Sequence, residues 1–197
     1  IELSGDNWNI KQVAKINTSV IRMMGGIDDI TGGDGQQWIR KNLGGSSMIL
    51  GGAICNLGGV SCVVGSNVHL LANFENLTWR SIYGTPENMV IHELGHVFDN
   101  RFQSPKFWEA TWNGGGPSQA LMNFIGAEKN SLFYWSEGMI IPESALQFKP
   151  QEGFGYGNNS VADYFAHSFS AAIVAPTNPN APYTAVMWVS ALIDLTK

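Results

Sequence analysis

The feature that most constrains this chain is a pair of histidines, four residues apart, in the segment HELGH at positions 92–96. A strong helix start precedes them, because Thr85 suits an N-cap and Pro86 the first helical position. We therefore expect a helix from Thr85 to about Phe102. Residues four apart lie on one face of a helix, about 6 Å from each other at Cβ, so both imidazoles should point the same way.

Two imidazoles at this spacing can bind one tetrahedral zinc ion through ring nitrogens at about 2.0 to 2.1 Å. Glu93 is rotated by about 100° from His92, so it is not a natural ligand, yet it borders the same cleft. There it can take the proton of a zinc-bound water, whose pKa the metal lowers towards about 7. The motif predicts one zinc ion per chain, with His92 and His96 as ligands and Glu93 as general base. The alternative is an ordinary buried helix, although chance gives this pattern in roughly one chain in a hundred.

A hydrolytic zinc ion needs a further protein ligand from another element. A second strong helix, predicted from Ser160 to about Val174, offers both Asp163 and His167, which are again four residues apart. Upstream of it, Tyr156 could donate its hydroxyl to a developing oxyanion. The other carboxylates that we consider as the ligand are Glu137, Glu143 and Glu152.

These motifs resemble those of the zincin metallopeptidases, whose zinc helix carries a His-Glu-x-x-His signature. Within them the chain is most similar to the branch that contains anthrax lethal factor and the secreted Pro-Pro endopeptidases. That branch has a Tyr-Gly pair and, seven residues after the Tyr, a ligand carboxylate in an acid-Phe-Phe-Ala-Glu-x-Phe helix. Here Tyr156-Gly157 is followed at that distance by DYFAHSF, residues 163–169. The resemblance extends from the zinc helix through the second helix.

The resemblance implies that Asp163 is the third zinc ligand and that Tyr156 stabilises the transition state. It also implies that Asp99, three residues after His96, orients a ligand imidazole. His167 takes the place of an acid that supports the ligands in that branch, and it could itself be the ligand. Asp163 stands where the branch has Glu and is one methylene shorter, so the second helix must come closer to the metal.

A segment from Val68 to Phe74 alternates apolar and polar residues and predicts a strand. In zincins an edge strand just before the zinc helix pairs with an extended peptide substrate, and this segment occupies that place. A plain amphipathic edge strand is the alternative. The residues expected to bind substrate are Val68, His69, Leu70, Leu71, Ala72 and Asn73.

Further elements complete an α+β prediction. Apolar spacing predicts a first helix from Trp8 to Met24, stopped by Gly25-Gly26, with an acidic loop to Gly35. A final apolar helix is expected from Thr184 to Leu195. We expect a single zincin-type domain over 1–197, in which a small strand-bearing N-terminal lobe (about 1–103, with the zinc helix) and a helical C-terminal lobe (about 104–197) enclose a zinc cleft.

The two cysteines, Cys55 and Cys62, flank Gly58-Gly59. If these glycines form a two-residue hairpin turn, the cysteines face each other at a distance that a disulfide tolerates. Two small buried thiols are the alternative.

Composition narrows the function classes. The net charge is −5 with no basic cluster, which argues against nucleic acid as a partner. No apolar run approaches the roughly 18 to 20 residues of a membrane span. Only 14% of residues are charged and 23 are glycine, a balance that suits a compact, loop-rich extracellular protein. The first residue is Ile, which either a cleaved secretion signal or the choice of start explains.

We therefore expect a secreted, monomeric zinc endopeptidase that hydrolyses peptide bonds in a protein or peptide substrate. One rival is a toxin-like protease selective for a single target. Another is a zinc-binding module without chemistry, such as an adhesin. Glu93 argues against that module, because structural zinc sites need no base and fill all four positions with ligands. Hydrolysis of an amide other than a peptide also remains open.

Overall fold

A computed structural model describes residues 1–5, 7–51, 61–76, 85–102, 116–124, 128–129, 139–140, 161–174 and 183–197. Over these residues the chain is mixed α+β. The helices are α1 (Ile10–Thr31), α2 (Gly35–Leu43), α3 (Pro86–Arg101), α4 (Pro117–Phe124), α5 (Val161–Val174) and α6 (Tyr183–Leu195). The strands are β1 (Glu2–Ser4), β2 (Ser47–Leu50), β3 (Ser61–Val64), β4 (Asn67–Leu70), β5 (Glu128–Lys129) and β6 (Met139–Ile140), and a 3₁₀ turn spans Phe74–Asn76.

The first four strands form one sheet in the order β1-β2-β4-β3. β2 runs parallel to both β1 and β4, whereas β3 is antiparallel to β4. The β3–β4 hairpin places Ser61 opposite Leu70 and Val64 opposite Asn67. Its turn contains Gly65 at φ 62°, a left-handed conformation that glycine adopts without a Cβ penalty. Among the described strands, β3 is thus the outer strand on one side of this sheet.

The prediction of an edge strand from Val68 to Phe74 is wrong in two respects. The strand ends at Leu70, and the chain then turns into the 3₁₀ segment, so Leu71, Ala72 and Asn73 are not strand residues. β4 also pairs on both sides, with β2 and β3, so Val68, His69 and Leu70 have no open edge to offer a peptide. The physical reason is burial: all three of these residues are buried, as in an internal strand.

The first helix begins at Ile10, two residues after the predicted start at about Trp8, and it does not stop at Gly25-Gly26. Asn9 caps it, in a reciprocal hydrogen-bonded box with Gln12, and it continues to Thr31, where Gly32 adopts φ 81°. Gly26 is instead a packing position, since a Cβ there would overlap the carbonyl oxygen of Ile173 in α5. The predicted acidic loop is therefore mostly helix, and only residues 32–34 connect α1 to α2.

Helix α2 and strand β1 were not predicted. Trp38 and Leu43 of α2 are fully buried, and the Trp38 indole donates a hydrogen bond to the Ile193 carbonyl in α6 at 2.9 Å. This bond ties α2 to the end of the chain. None of the described helices has the length and apolarity needed to cross a membrane.

The helix carrying HELGH is confirmed and lies in the core. Thr85 accepts a hydrogen bond from the Asn88 amide, and α3 runs to Arg101 with most of its side chains buried. The predicted second and final helices are confirmed as α5 and α6. Phe98 of α3 stacks on Phe169 of α5, with ring centroids 5.6 Å apart. This aromatic packing fixes α3 against α5, and the candidate site lies on the same pair of helices.

Candidate metal centre

Three potential metal ligands converge where α3 meets α5. His92 and His96 project from α3, and their Nε2 atoms lie 3.1 Å apart. Asp163, in the first turn of α5, places its Oδ1 at 3.6 Å from His92 Nε2 and 3.3 Å from His96 Nε2. Among the described residues these three form a group that could hold a metal ion.

The spacing of the three atoms fits a tetrahedral metal. Four ligands at about 2.0 to 2.1 Å around a tetrahedral ion lie about 3.3 Å from one another. The three distances between ligand atoms are 3.1, 3.3 and 3.6 Å, which bracket that value. Two imidazoles and a carboxylate are also a donor set that suits zinc among the common divalent ions. The residues present therefore fit a zinc ion bound through three protein atoms.

Close packing between α3 and α5 explains how a short aspartate reaches the two histidines. A Cβ on Gly95 would lie 3.2 Å from the Ala166 Cα and 3.1 Å from a ring carbon of Phe169. The two helices thus approach at a glycine and an alanine, and the glycine directly precedes His96 in the chain. This approach supplies the closer second helix that the shorter Asp163 side chain requires.

Burial and the ligand carboxylate set the charge states of the site. Burial lowers the pKa of His92 to about 4, so this imidazole is neutral. Burial alone would raise the pKa of Asp163, but its close polar contacts with the His92 and His96 imidazoles outweigh burial and hold the pKa below its ordinary value. A neutral imidazole and an ionised carboxylate are the forms that bind a metal.

His96 differs from His92 in the direction of its shift. Burial would lower its pKa, but the hydrogen bond with Asp163 and the charges of Glu93, Asp163 and Asp99 raise it. In the absence of a metal ion the His96 imidazole therefore holds a proton more readily than the His92 imidazole does.

His167 lies against the site without joining the ligand group. Its ring packs on the ring of His92, with centroids 4.4 Å apart and planes tilted by 59°. Burial lowers its pKa to about 3, so it is neutral. Among the described residues, the group that could hold a metal ion takes Asp163 from α5 and does not include His167.

Glu93 lies beside the candidate ligands, and a serine of the sheet holds its side chain by a hydrogen bond. Its side chain is 2% exposed, and its Oε1 accepts a hydrogen bond of 2.6 Å from the Ser61 hydroxyl on β3. Burial raises its pKa above the ordinary value, and the bond from Ser61 acts in the opposite direction. Sequence reasoning did not identify Ser61, because a serine in a strand carries no signal and the contact joins residues far apart in the chain.

Asp99 has a structural partner that differs from the predicted one. Its carboxylate accepts a hydrogen bond of 2.7 Å from the Ser118 amide at the start of α4. Its influence on His96 is that of a nearby negative charge, which raises the imidazole's pKa. Asp99 therefore anchors α4 to α3 in addition to its electrostatic effect on His96.

Several predicted residues lie outside the described part of the chain: Tyr156, Glu137, Glu143, Glu152 and Cys55. Cys62, on β3 next to Ser61, is disulfide-bonded, and Cys55 is the only other cysteine in the sequence. The alternative of two reduced thiols is thereby excluded for Cys62.

No family model, curated protein or solved structure matches this chain.

Proposed function

We propose that the chain is a zincin-type zinc endopeptidase, in which His92, His96 and Asp163 hold the metal and Glu93 is the general base. One observation carries the proposal. Three ligand atoms lie at the mutual distances of a tetrahedral site, and a buried carboxylate lies next to them without belonging to the ligand group. A site that only holds a metal has no need of that carboxylate.

A zinc ion held by His92, His96 and Asp163 would lower the pKa of a bound water and would polarise the carbonyl of a peptide bond. Glu93 accepts a proton from the attacking water as its oxygen bonds to the carbonyl carbon. The C–N bond then breaks, and Glu93 returns the proton to the leaving nitrogen.

The unequal exposure of the ligands supports catalysis over a closed structural site. The side chain of His92 is 2% exposed, whereas those of His96 and Asp163 are 17% and 30% exposed. The ligand set is therefore buried on one side and reachable from the other. Catalytic zinc sites keep such an open position for water and substrate.

The sheet edge beside the site offers a place for an extended substrate. β3 is the outer described strand, and its Ser61 contacts Glu93 directly. Val64, at the end of β3, is 50% exposed. We assign to β3 the substrate-pairing role that the sequence suggested for the neighbouring strand, since main-chain pairing at an edge binds peptides with little sequence preference.

The disulfide supports the proposal that the enzyme acts outside the cytoplasm. Cys62 is disulfide-bonded, and disulfides persist in oxidising compartments. The low proportion of charged residues, 14%, agrees with this assignment.

The test compares wild type with Glu93→Gln, measuring zinc by elemental analysis and cleavage of a mixed peptide library. The proposal predicts about one zinc per chain in both proteins. It also predicts that cleavage falls at least about 1,000-fold in the variant, because general base catalysis and water positioning are lost together. Zinc without cleavage in wild type would favour the binding module. Rapid cleavage of a single library sequence would favour a protease selective for one target.

A further inference from the structure

We propose that Ser61 is a positioning residue that fixes the orientation of the Glu93 carboxylate at the metal centre. The inference rests on the proposed function, because it assigns the strand β3 a part in preparing the base. It starts from one contact, the hydrogen bond of 2.6 Å that the Ser61 hydroxyl donates to Glu93 Oε1.

The length and burial of this contact make it a strong one. A hydroxyl bonded to an ionised carboxylate lies at about 2.5 to 2.7 Å, and such bonds are roughly twice as strong as those between neutral groups. Glu93 is 2% exposed, so water competes little for the same oxygen. Ser61 therefore holds Oε1 throughout, and Oε2 is the oxygen left for the reacting water.

A glutamate needs this kind of restraint more than most side chains do. The last torsion of its side chain has a broad distribution, so burial alone leaves the plane of the carboxylate poorly fixed. A general base must meet its proton within about 2.6 to 3.2 Å. A bond to one carboxylate oxygen fixes the torsion and hence the position of the other oxygen.

Ser61 is itself held firmly enough to act in this way. It pairs with Leu70 at the end of the β3–β4 ladder, and Leu70 is 1% exposed. The next residue, Cys62, is disulfide-bonded. Val63, one residue further, packs against the core. The hydroxyl therefore projects from a strand that is anchored on both of its faces.

A merely structural hydrogen bond would behave differently from a positioning one. Loss of a structural bond lowers stability and leaves turnover per folded molecule unchanged. Loss of a positioning bond lowers kcat and leaves KM nearly unchanged, because substrate binding does not involve the base. The two roles can thus be separated by kinetics on the folded enzyme.

The experiment uses Ser61→Ala and Ser61→Thr in the full chain, with Ser190→Ala as the matched control. Ser190 donates to Val186 within α6, so its variant loses an equivalent hydroxyl without touching the site. We expect kcat to fall about 10- to 100-fold in Ser61→Ala, with KM and zinc content unchanged. Thr retains the hydroxyl and is favoured in strands, so Ser61→Thr should recover most of kcat.

A second readout does not depend on activity. The side-chain carboxyl ¹³C resonance of Glu93, assigned by its loss in Glu93→Gln, should shift at constant pH in Ser61→Ala and stay in place in Ser190→Ala. A shift confined to Ser61→Ala supports the inference even if wild type hydrolyses nothing, in which case the proposed function alone fails. An unmoved resonance, or a Ser61→Ala enzyme with wild-type kcat, would overturn the inference, and so would a raised KM at unchanged kcat.

Discussion

The two sides of the candidate site are built differently. On the helix side, α3 and α5 approach at Gly95 and Ala166, and stacked phenylalanines lock the contact. On the sheet side, one hydrogen bond from Ser61, on the outer strand β3, holds Glu93. The candidate metal ligands thus depend on rigid helix packing, whereas the orientation of Glu93, the proposed base, depends on one hydrogen bond among the described residues. Changes on the helix side should lose the metal, and changes on the sheet side should lose turnover with the metal retained.

The largest effect expected on the helix side follows from Asp163→Ala. Two histidines alone leave the ion one protein ligand short, so zinc affinity should fall at least about 100-fold and activity should disappear. The measurement is zinc content after dialysis against a weak chelator. Asp194→Ala is the control, because Asp194 is exposed and pairs only with Lys197 among the described residues. Equal zinc retention in Asp163→Ala and wild type would refute the ligand assignment.

Gly95→Ala tests whether the helix approach sets the ligand geometry. The added Cβ would lie 3.1 to 3.2 Å from Phe169 and Ala166, so α5 must shift by a few tenths of an ångström. We expect a loss of about 1 to 3 kcal/mol in the free energy of unfolding and weaker zinc binding. Gly25→Ala in α1 is the matched control, since its Cβ would meet nothing within 4 Å. That variant should be neutral or more stable, by up to about 1 kcal/mol. Equal denaturation midpoints and zinc affinities for the two variants would contradict the account.

His167 offers a pH test of the same side in the metal-free protein. Its pKa is about 3 when folded and near 6.5 in an unfolded chain, so the unfolded state binds more protons between these values. Protonation of His167 in the unfolded chain therefore lowers the free energy of unfolding as pH falls below 6.5. As pH falls from 6 to 5, the free energy of unfolding of His167→Gln should rise relative to that of wild type by up to about 1.4 kcal/mol per pH unit. Denaturant unfolding at each pH measures this difference, and a difference independent of pH would show that His167 titrates normally.

The smallest expected effect is a change in the free energy of unfolding when Glu93, which Ser61 of the sheet contacts, is replaced. Burial raises the pKa of Glu93 above 4.5, the value expected in the unfolded chain. Above pH 4.5 the unfolded chain therefore loses this proton more readily than the folded protein does, and the free energy of unfolding falls as pH rises. Metal-free Glu93→Gln should therefore be more stable than wild type at pH 7, by about 1 kcal/mol. The gain should shrink as pH falls towards 4.5. A variant that is less stable at pH 7 would indicate that Glu93 serves the fold, not the reaction.

Local spacing was sufficient to predict the helix side of the site. His92 and His96 are four residues apart, Thr85-Pro86 marks the start of their helix, and Asp163 lies in the first turn of the predicted second helix. These signals involve neighbours along the chain, and the structure confirms the helices and the grouping of the three residues.

The rest of the fold depended on contacts between distant residues. Gly25-Gly26 has the sequence of a helix stop, yet α1 continues because Gly26 packs on the Ile173 carbonyl. The strand order could not be predicted from the sequence either. Alternating apolar and polar residues after Val68 occur in internal strands as well as in edge strands. The Ser61–Glu93 contact spans 32 positions and has no local signature. Ile39 and Leu43, four residues apart and therefore on one helix face, were a signal for α2 that could have been used.

The most direct test of the central claim is a crystal of the full chain grown with zinc, with anomalous diffraction recorded on both sides of the zinc edge. The account predicts one strong zinc peak per chain, about 2.0 to 2.2 Å from His92 Nε2, His96 Nε2 and an Asp163 carboxylate oxygen. A peak elsewhere, or no peak between these three residues at full zinc loading, would contradict the assignment of the site and the function derived from it.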